Sequence, residues 1–274
     1  MKISTQSGTQ ASALGLGAAP GQDPDCIPQA FISGINFFYF YQAGYPEFLS
    51  TLCKLLKNRR KEILLATGSE ARNSKHLRSA FQELCSAVAT DVIDIFFAEY
   101  INPSDDCETI FSRGGVLDEL SQWKAKGAIT YVGASAHDRP LASRLAGDPR
   151  VDVVMHRYNM AHRKAVDEVF PTAADNNTPI VAFTATRWGT LLHPHYQWQP
   201  PPPTAADCYR YCLAHPTVDI VLTSPKTTDE LEENLFVLKS PPMSSQELSH
   251  WRKYGDLIYE AGRGAAHDFE SKWP

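Results

Sequence analysis

The chain has 274 residues, a formal net charge of −5, a pI near 6.0 and 43% hydrophobic residues. This length allows either two small domains or one large barrel with a sizeable core, and we expect a single domain over residues 1–274. The acidic balance and the absence of a Lys/Arg tract denser than residues 57–61 argue against nucleic acid as a partner.

Cysteine spacing and hydropathy exclude further classes of protein. The six cysteines form no CxxC pair, so we expect neither a disulfide framework nor a metal site. No apolar run approaches the ~18 residues that a membrane span needs, and the N-terminus lacks the apolar segment of a signal peptide. We therefore expect a cytoplasmic protein with no membrane partner, whose oligomeric state the sequence leaves open.

Eight short apolar runs alternate with amphipathic segments along the chain. The runs predict strands at 13–19, 35–41, 63–68, 94–99, 130–135, 151–157, 180–185 and 219–224. Helical spacing predicts helices at 46–57, 74–90, 115–126, 139–146, 164–174, 205–214 and 228–239, with Asn73 or Ser74 and Thr204 as N-caps. Eight such units favour a closed (β/α)8 barrel. An open doubly wound sheet is the alternative, but the first turn has no GxGxxG motif.

Two segments depart from this alternation. Residues 193–207 form a long loop with four consecutive prolines after the seventh strand, which serves either as a spacer or as a lid over an active site. From about residue 244 we expect a helical extension that packs across the barrel.

Several motifs, taken in chain order, resemble those of the aldo-keto reductase superfamily. They are "LGLGAAP", "GINFF", "DVIDIFFAE", "YVGAS", "RYNMAHR", "IVAFTATRWGTLL" and "PKTTDELEENL". The resemblance spans most of the chain and implies the same barrel, an oxidoreductase and the cofactor NADP or NAD.

The resemblance also implies that the catalytic tetrad of that family is missing. Its aspartate corresponds to Tyr39, its tyrosine to Gly44 with Tyr45 one residue later, its lysine to Gly68 and its histidine to Glu99. An unperturbed phenol is a poor acid at neutral pH, so a different group must assist it.

Glu99 and three tyrosines are the candidates for a replacement catalytic set. Glu99 closes an apolar strand at the end where barrels keep catalytic groups, and burial there would raise its pKa. The alternative is an ion pair with Arg157. Tyr39, Tyr41 and Tyr45 lie at or just beyond the end of the second strand, so at least one of them should face the cavity.

The remaining site residues are implied by the resemblance or by their positions after strands. Cofactor contacts carried over from the family are Ser135, Phe183, Lys226, Thr227, Glu233 and Asn234, with Arg187 as a further cation. Ala136, Met155 and Glu230 depart from the family pattern, and Glu230 replaces an arginine that contacts the 2′-phosphate of NADP. Arg157, Trp188, Tyr196 and Trp198 suggest the lining of an aromatic substrate pocket. His137 and His156 are further residues near the strand ends.

These features support three hypotheses. The leading one is an NAD(P)-dependent oxidoreductase with a rebuilt acid set, acting on an apolar or aromatic small molecule. The second is a redox-neutral enzyme, such as an isomerase, dehydratase or cyclase, on the same fold. The third is a catalytically inactive binding protein.

Overall fold

Eight parallel strands close into a barrel in the computed structural model, which describes residues 2–261. The strands are β1 (Leu14–Gly17), β2 (Phe37–Tyr39), β3 (Leu64–Ser69), β4 (Ile93–Ile101), β5 (Ile129–Ala136), β6 (Val153–Arg157), β7 (Ile180–Phe183) and β8 (Val218–Thr223). They follow one another around the barrel in chain order, and β8 pairs with β1. The predicted (β/α)8 architecture is confirmed.

Helices cover the outside of the barrel. They are α1 (Cys26–Ile32), α2 (Pro46–Arg59), α3 (Ser74–Ala87), α4 (Cys107–Phe111), α5 (Val116–Ala125), α6 (Arg139–Ala146), α7 (Ala165–Glu168), α8 (Phe170–Asp175), α9 (Ala205–Leu213), α10 (Thr228–Leu235) and α11 (Ser245–Ala261). Short 3₁₀ helices occur at Arg60–Glu62, Thr190–Leu192 and Phe236–Leu238. Within the described residues, no helix is both long and apolar enough to cross a membrane.

Helix ends largely follow the capping residues in the sequence. Asn73 accepts a hydrogen bond from the His76 amide at the start of α3, and Thr204 and Asp207 form a reciprocal capping box at the start of α9. The predicted helix at 164–174 is instead two short helices. Pro171 lies in the first turn of α8, where it lacks a donor and restricts the residue before it, so the helix restarts there.

The C-terminal segment begins with helix α11 at Ser245. Helix α11 packs on the loops after β6 and β7: Arg163 pairs with Asp256, and the Tyr254 hydroxyl donates to the carbonyl of His193. The rest of the predicted extension, residues 262–274, lies outside the described residues.

Two hydrophobic clusters divide the core. The larger lies between the helices and the outer face of the barrel. The smaller fills the barrel interior and includes Phe37, Leu64, Ala66, Ile95, Phe97, Val153, Met155, Val181 and Ile220. Since side chains alternate along a strand, the next inward position on each strand lies at the C-terminal mouth of the barrel. We call these positions the inner rim: Gly17, Tyr39, Gly68, Glu99, Ser135, Arg157, Phe183 and Ser224.

Candidate active site

The inner rim brings together a carboxyl, a phenol and a hydroxyl from three strands. The Tyr39 hydroxyl lies 2.9 Å from Glu99 Oε1, and the Ser135 hydroxyl lies 2.5 Å from Glu99 Oε2. Glu99 is 3% exposed, whereas Tyr39 is half-buried and so reaches the mouth. Both carboxylate oxygens therefore accept hydrogen bonds within the rim, rather than forming the ion pair with Arg157 that the sequence left open.

Burial dominates the electrostatics of this cluster. It raises the pKa of Glu99 to about 7, despite the hydrogen bonds from Ser135 and Tyr39 that favour the charged form. Burial, followed by the nearby Glu99, raises the pKa of Tyr39 well above its usual value. At pH 7 Tyr39 therefore keeps its own proton, and a substantial fraction of the Glu99 carboxyl groups is protonated as well.

Backbone geometry on the β4 side fixes Glu99 in place. The next residue, Tyr100, has a φ of +50°, a left-handed conformation that is strained for a bulky side chain. Its amide donates to the Ser135 hydroxyl at 2.7 Å, and Arg72 donates to the carbonyls of both Glu99 and Tyr100. These bonds hold a conformation that would otherwise relax.

Gly68 makes room for the carboxyl group. A Cβ built on Gly68 would lie 2.6 Å from Cγ and 2.8 Å from Oε1 of Glu99, and it would also meet the carbonyl of Phe97. The space beside Gly68 is therefore filled from the neighbouring strand by Glu99.

The other two tyrosines lie beside the cluster rather than in it. Tyr41 lies beyond the end of β2 and lines a cleft of about 270 Å³ with Gly68 and Glu70. Tyr45 precedes α2, and its interaction with Tyr39 contributes to the raised pKa of the Tyr39 hydroxyl. Tyr39 alone hydrogen-bonds Glu99 among the three.

The predicted cofactor contacts fall into two groups. Phe183 lies on the inner rim, and Lys226 and Thr227 follow β8 at the same end of the barrel with exposed side chains. Three others are engaged within the protein. Ser135 bonds Glu99, the buried Asn234 amide donates to Thr223, and Arg187 donates to the carbonyl of Ile258 in α11.

A carboxylate side chain lies at the start of α10. Glu230 accepts a hydrogen bond from the Lys226 amide at 2.7 Å, and the Thr227 hydroxyl accepts one from the Glu230 amide. Glu233 is exposed on the same helix. A carboxylate beside Lys226 disfavours an additional phosphate there.

The aromatic residues predicted to line the substrate pocket differ in exposure. Trp188 is 41% exposed and Tyr196 is 83% exposed, both in the loop after β7. Trp198 packs between that loop and α11, with its ring centroid 4.7 Å from His250 and 5.3 Å from Tyr254. Trp198 therefore anchors the proline-rich loop to α11.

Sequence reasoning missed the roles of Arg72 and of Ser135 as a partner of Glu99. Arg72 follows β3 in a polar turn that resembles any surface loop, so no local pattern indicated its role. The alternation of β5 does predict Ser135 at the rim, but its partner depends on the pairing of β4 with β5.

Comparison with known proteins agrees with this barrel. The model of the aldo/keto reductase family matches residues 25–207. The holo form of an aldo-keto reductase from Bacillus halodurans aligns with a TM-score of 0.76 and 20% identity, covering 92% of this chain and 95% of the other. An aldo/keto reductase from Klebsiella pneumoniae, solved with NADP and acetate, aligns with a TM-score of 0.73 and 13% identity over 93% and 95% of the two chains.

A search of curated proteins gives no match. The family model nevertheless covers about two thirds of the sequence, and it spans the strands that carry Tyr39, Glu99, Ser135 and Phe183. The chain belongs to the aldo/keto reductase family.

Proposed function

We propose that the protein is an NAD(P)-dependent oxidoreductase that reduces a small aromatic or apolar substrate, with Tyr39 and Glu99 supplying the proton. The observation that carries the proposal is the 2.9 Å hydrogen bond between the Tyr39 hydroxyl and Glu99 at the mouth of the barrel. A carbonyl substrate would gain a hydride at carbon and a proton at oxygen.

The pair can deliver that proton as a relay. A phenol with a strongly raised pKa is a poor acid by itself. A protonated Glu99, however, can donate to Tyr39 while Tyr39 gives its own proton to the substrate oxygen. The net donor is then Glu99, whose pKa of about 7 leaves a substantial protonated fraction at neutral pH.

The family uses NADP(H), and a reduced nicotinamide would supply the hydride. Phe183 offers an aromatic face at the inner rim, and Lys226 and Thr227 offer a cation and a hydroxyl for phosphate oxygens. These residues fit a nicotinamide dinucleotide, while Glu230 beside Lys226 argues for weak recognition of the 2′-phosphate.

The test has two parts. The protein is first titrated with NADPH and NADH, following the fluorescence of the cofactor and of tryptophan. Carbonyl compounds are then screened for cofactor oxidation, and Glu99→Gln and Tyr39→Phe are compared with Glu62→Gln, a control carboxylate that pairs with Arg59 on the surface. We expect losses of ~2 to 4 orders of magnitude in kcat for the first two variants and none for the third. No binding of either dinucleotide at millimolar concentration would contradict the proposal.

One observation favours a second candidate, a redox-neutral enzyme on the same rim. Ser135 and Asn234, two of the residues carried over as cofactor contacts, are engaged by Glu99 and Thr223. Tyr39 and Glu99 could then move a proton between two positions of one substrate. Product formation without oxidation or reduction of added dinucleotide would favour this candidate.

A further inference from the structure

Arg72 reaches the acid site through one guanidinium nitrogen. Its Nη2 donates to the carbonyl of Glu99 at 2.8 Å and to that of Tyr100 at 3.0 Å, and it pairs with Asp105 Oδ2 at 3.0 Å. The other two nitrogens, Nε and Nη1, are buried and make no hydrogen bond to another residue within 2–261. The cation is therefore fixed on the backbone that carries the Glu99 carboxyl group, with the Asp105 carboxylate beside it.

Asp105 is held in place by the turn that follows β4. Its Oδ2 accepts a hydrogen bond from the Asn102 amide at 3.0 Å, and its own amide donates to the Asn102 carbonyl at 3.0 Å. The Asn102 side chain in turn donates to the carbonyl of Tyr100 at 3.3 Å. The side chains of Arg72 and Asp105 are 20% and 19% exposed. Since salt and water screen partly buried charges less than exposed ones, this pair acts more strongly on its surroundings than a surface pair would.

Two charges of opposite sign act on the Glu99 carboxyl group from the segment after β3. Burial has the largest effect on the pKa of Glu99, and among the smaller effects the Glu70 carboxylate raises that pKa and the Arg72 cation lowers it. Two other titratable side chains near the acid site are uncharged at pH 7. Tyr39 on β2 keeps its proton, and burial is the main cause that lowers the pKa of His137, beyond β5, to about 4. The balance between cation and carboxylates therefore tunes the acidity of Glu99.

We propose that Arg72 is a positioning residue of the acid site and that Asp105, its ion-pair partner, offsets its charge and so keeps Glu99 a weak acid. Through the carbonyls of Glu99 and Tyr100, Arg72 holds the left-handed turn that sets the direction of the carboxyl group. Without Asp105, the unbalanced cation would favour the charged carboxylate, which cannot supply a proton. The effect on the acidity of Glu99 is independent of the proposed function, whereas its consequence for the reaction rests on that function.

The experiment follows the side-chain carboxyl signal of Glu99 by carbon NMR during a pH titration of the cofactor-free protein. The protein carries isotope-labelled glutamate, and Glu99→Gln identifies the signal. Arg72→Met removes the cation and should raise the titration midpoint of Glu99. Asp105→Asn keeps an oxygen for the Asn102 amide but removes the offsetting charge, and it should lower the midpoint. We expect each shift to be on the order of 0.5 pH unit.

Two further variants separate the charge of Arg72 from its contacts. Arg72→Lys keeps the charge without the planar fork, so it should shift the midpoint less than Arg72→Met does. Arg78→Met is the matched control, because Arg78 on α3 pairs with Glu119 on α5 at 2.7 Å, outside the barrel. This control breaks an ion pair of the same kind and should leave the midpoint of Glu99 unchanged.

The opposite directions of the two shifts are decisive, because Arg72→Met and Asp105→Asn break the same ion pair. Midpoints that move in the same direction, or a midpoint that stays unchanged in either variant, would overturn the proposal. Melting curves show whether each variant folds. If Arg72→Met does not fold, Asp105→Asn must still lower the midpoint, since a purely structural pair would leave it in place. Because neither a dinucleotide nor turnover is involved, this titration can succeed while the dinucleotide titration fails, and the reverse.

Discussion

The carboxyl group of Glu99 occupies the space that any side chain at Gly68 would need. A Cβ at Gly68 would come within 2.8 Å of Glu99 Oε1 and against the carbonyl of Phe97. The two residues belong to adjacent paired strands, β3 and β4. Any side chain at position 68 and the present conformation of Glu99 therefore exclude each other, so the residues at these two positions are coupled.

Gly68→Ala should destabilise the protein and displace Glu99. Overpacking of this kind costs about 1 to 3 kcal/mol, and urea unfolding measures it. Gly44→Ala is the matched control, because a Cβ there meets nothing within 4 Å, and its stability should not change measurably. In a Gly68→Ala/Glu99→Ala double variant the losses of stability from the two substitutions should be less than additive. The reason is that the clash between the new Cβ and the Glu99 side chain is then absent. Full additivity would contradict the coupling.

Glu99 should make stability fall as pH rises towards 7. Its pKa is raised from 4.5 to about 7 in the folded state, so the folded protein holds a proton that the unfolded chain releases. The free energy of unfolding, taken relative to that of Glu99→Gln, is highest below pH 4.5. It falls by about 3 kcal/mol in total as the pH rises through 7. Urea unfolding of both proteins from pH 4.5 to 8 measures this difference. Parallel curves would mean that Glu99 has an ordinary pKa.

Ser135 should position Glu99 and tune its acidity. Its hydroxyl lowers the pKa of Glu99, so Ser135→Ala should raise that pKa and extend activity to higher pH. The same change removes the acceptor of the Tyr100 amide, which should loosen the strained turn after Glu99. The pH dependence of kcat measures the first effect. Ser69→Ala removes a hydroxyl on β3 that accepts the Ala71 amide, and it should leave the profile unchanged.

Trp198 should matter for stability and Tyr196 should not. The Trp198 ring packs on His250 and Tyr254 of α11, whereas Tyr196 is 83% exposed in the same loop. We expect Trp198→Ala to cost about 3 kcal/mol and Tyr196→Ala less than about 0.5 kcal/mol. Thermal melts compare the two. A larger effect of Tyr196→Ala would indicate that this loop packs differently.

Glu230 should weaken the binding of NADPH relative to NADH. Its carboxylate lies at the start of α10, where the Lys226 amide donates to it, and it would repel a 2′-phosphate. Glu230→Gln keeps an acceptor for that amide and removes the charge. We expect the ratio of the Kd for NADPH to that for NADH to fall about tenfold, equivalent to ~1.4 kcal/mol. Fluorescence titrations measure both constants, and Glu232→Gln is the control at an exposed position of the same helix.

The sequence by itself determined the barrel. Its eight apolar runs and the helical spacing between them are local patterns, because each strand and each amphipathic helix carries its own periodicity. The same patterns placed Glu99 at the catalytic end of β4 and Arg157 at the end of β6. Local capping chemistry likewise predicted the start of α9 at Thr204.

Only the tertiary structure decided which groups meet at the rim. Tyr39 lies 60 residues from Glu99 and Ser135 lies 36 residues away, so their hydrogen bonds depend on the register of strands around a closed barrel. That register makes Tyr39, rather than Tyr41 or Tyr45, the partner of Glu99. The alternation of side chains along β2 alone did not decide among the three tyrosines. It also turned Ser135 towards Glu99 and Trp198 towards α11, because a side chain's partner is set by what the fold packs beside it.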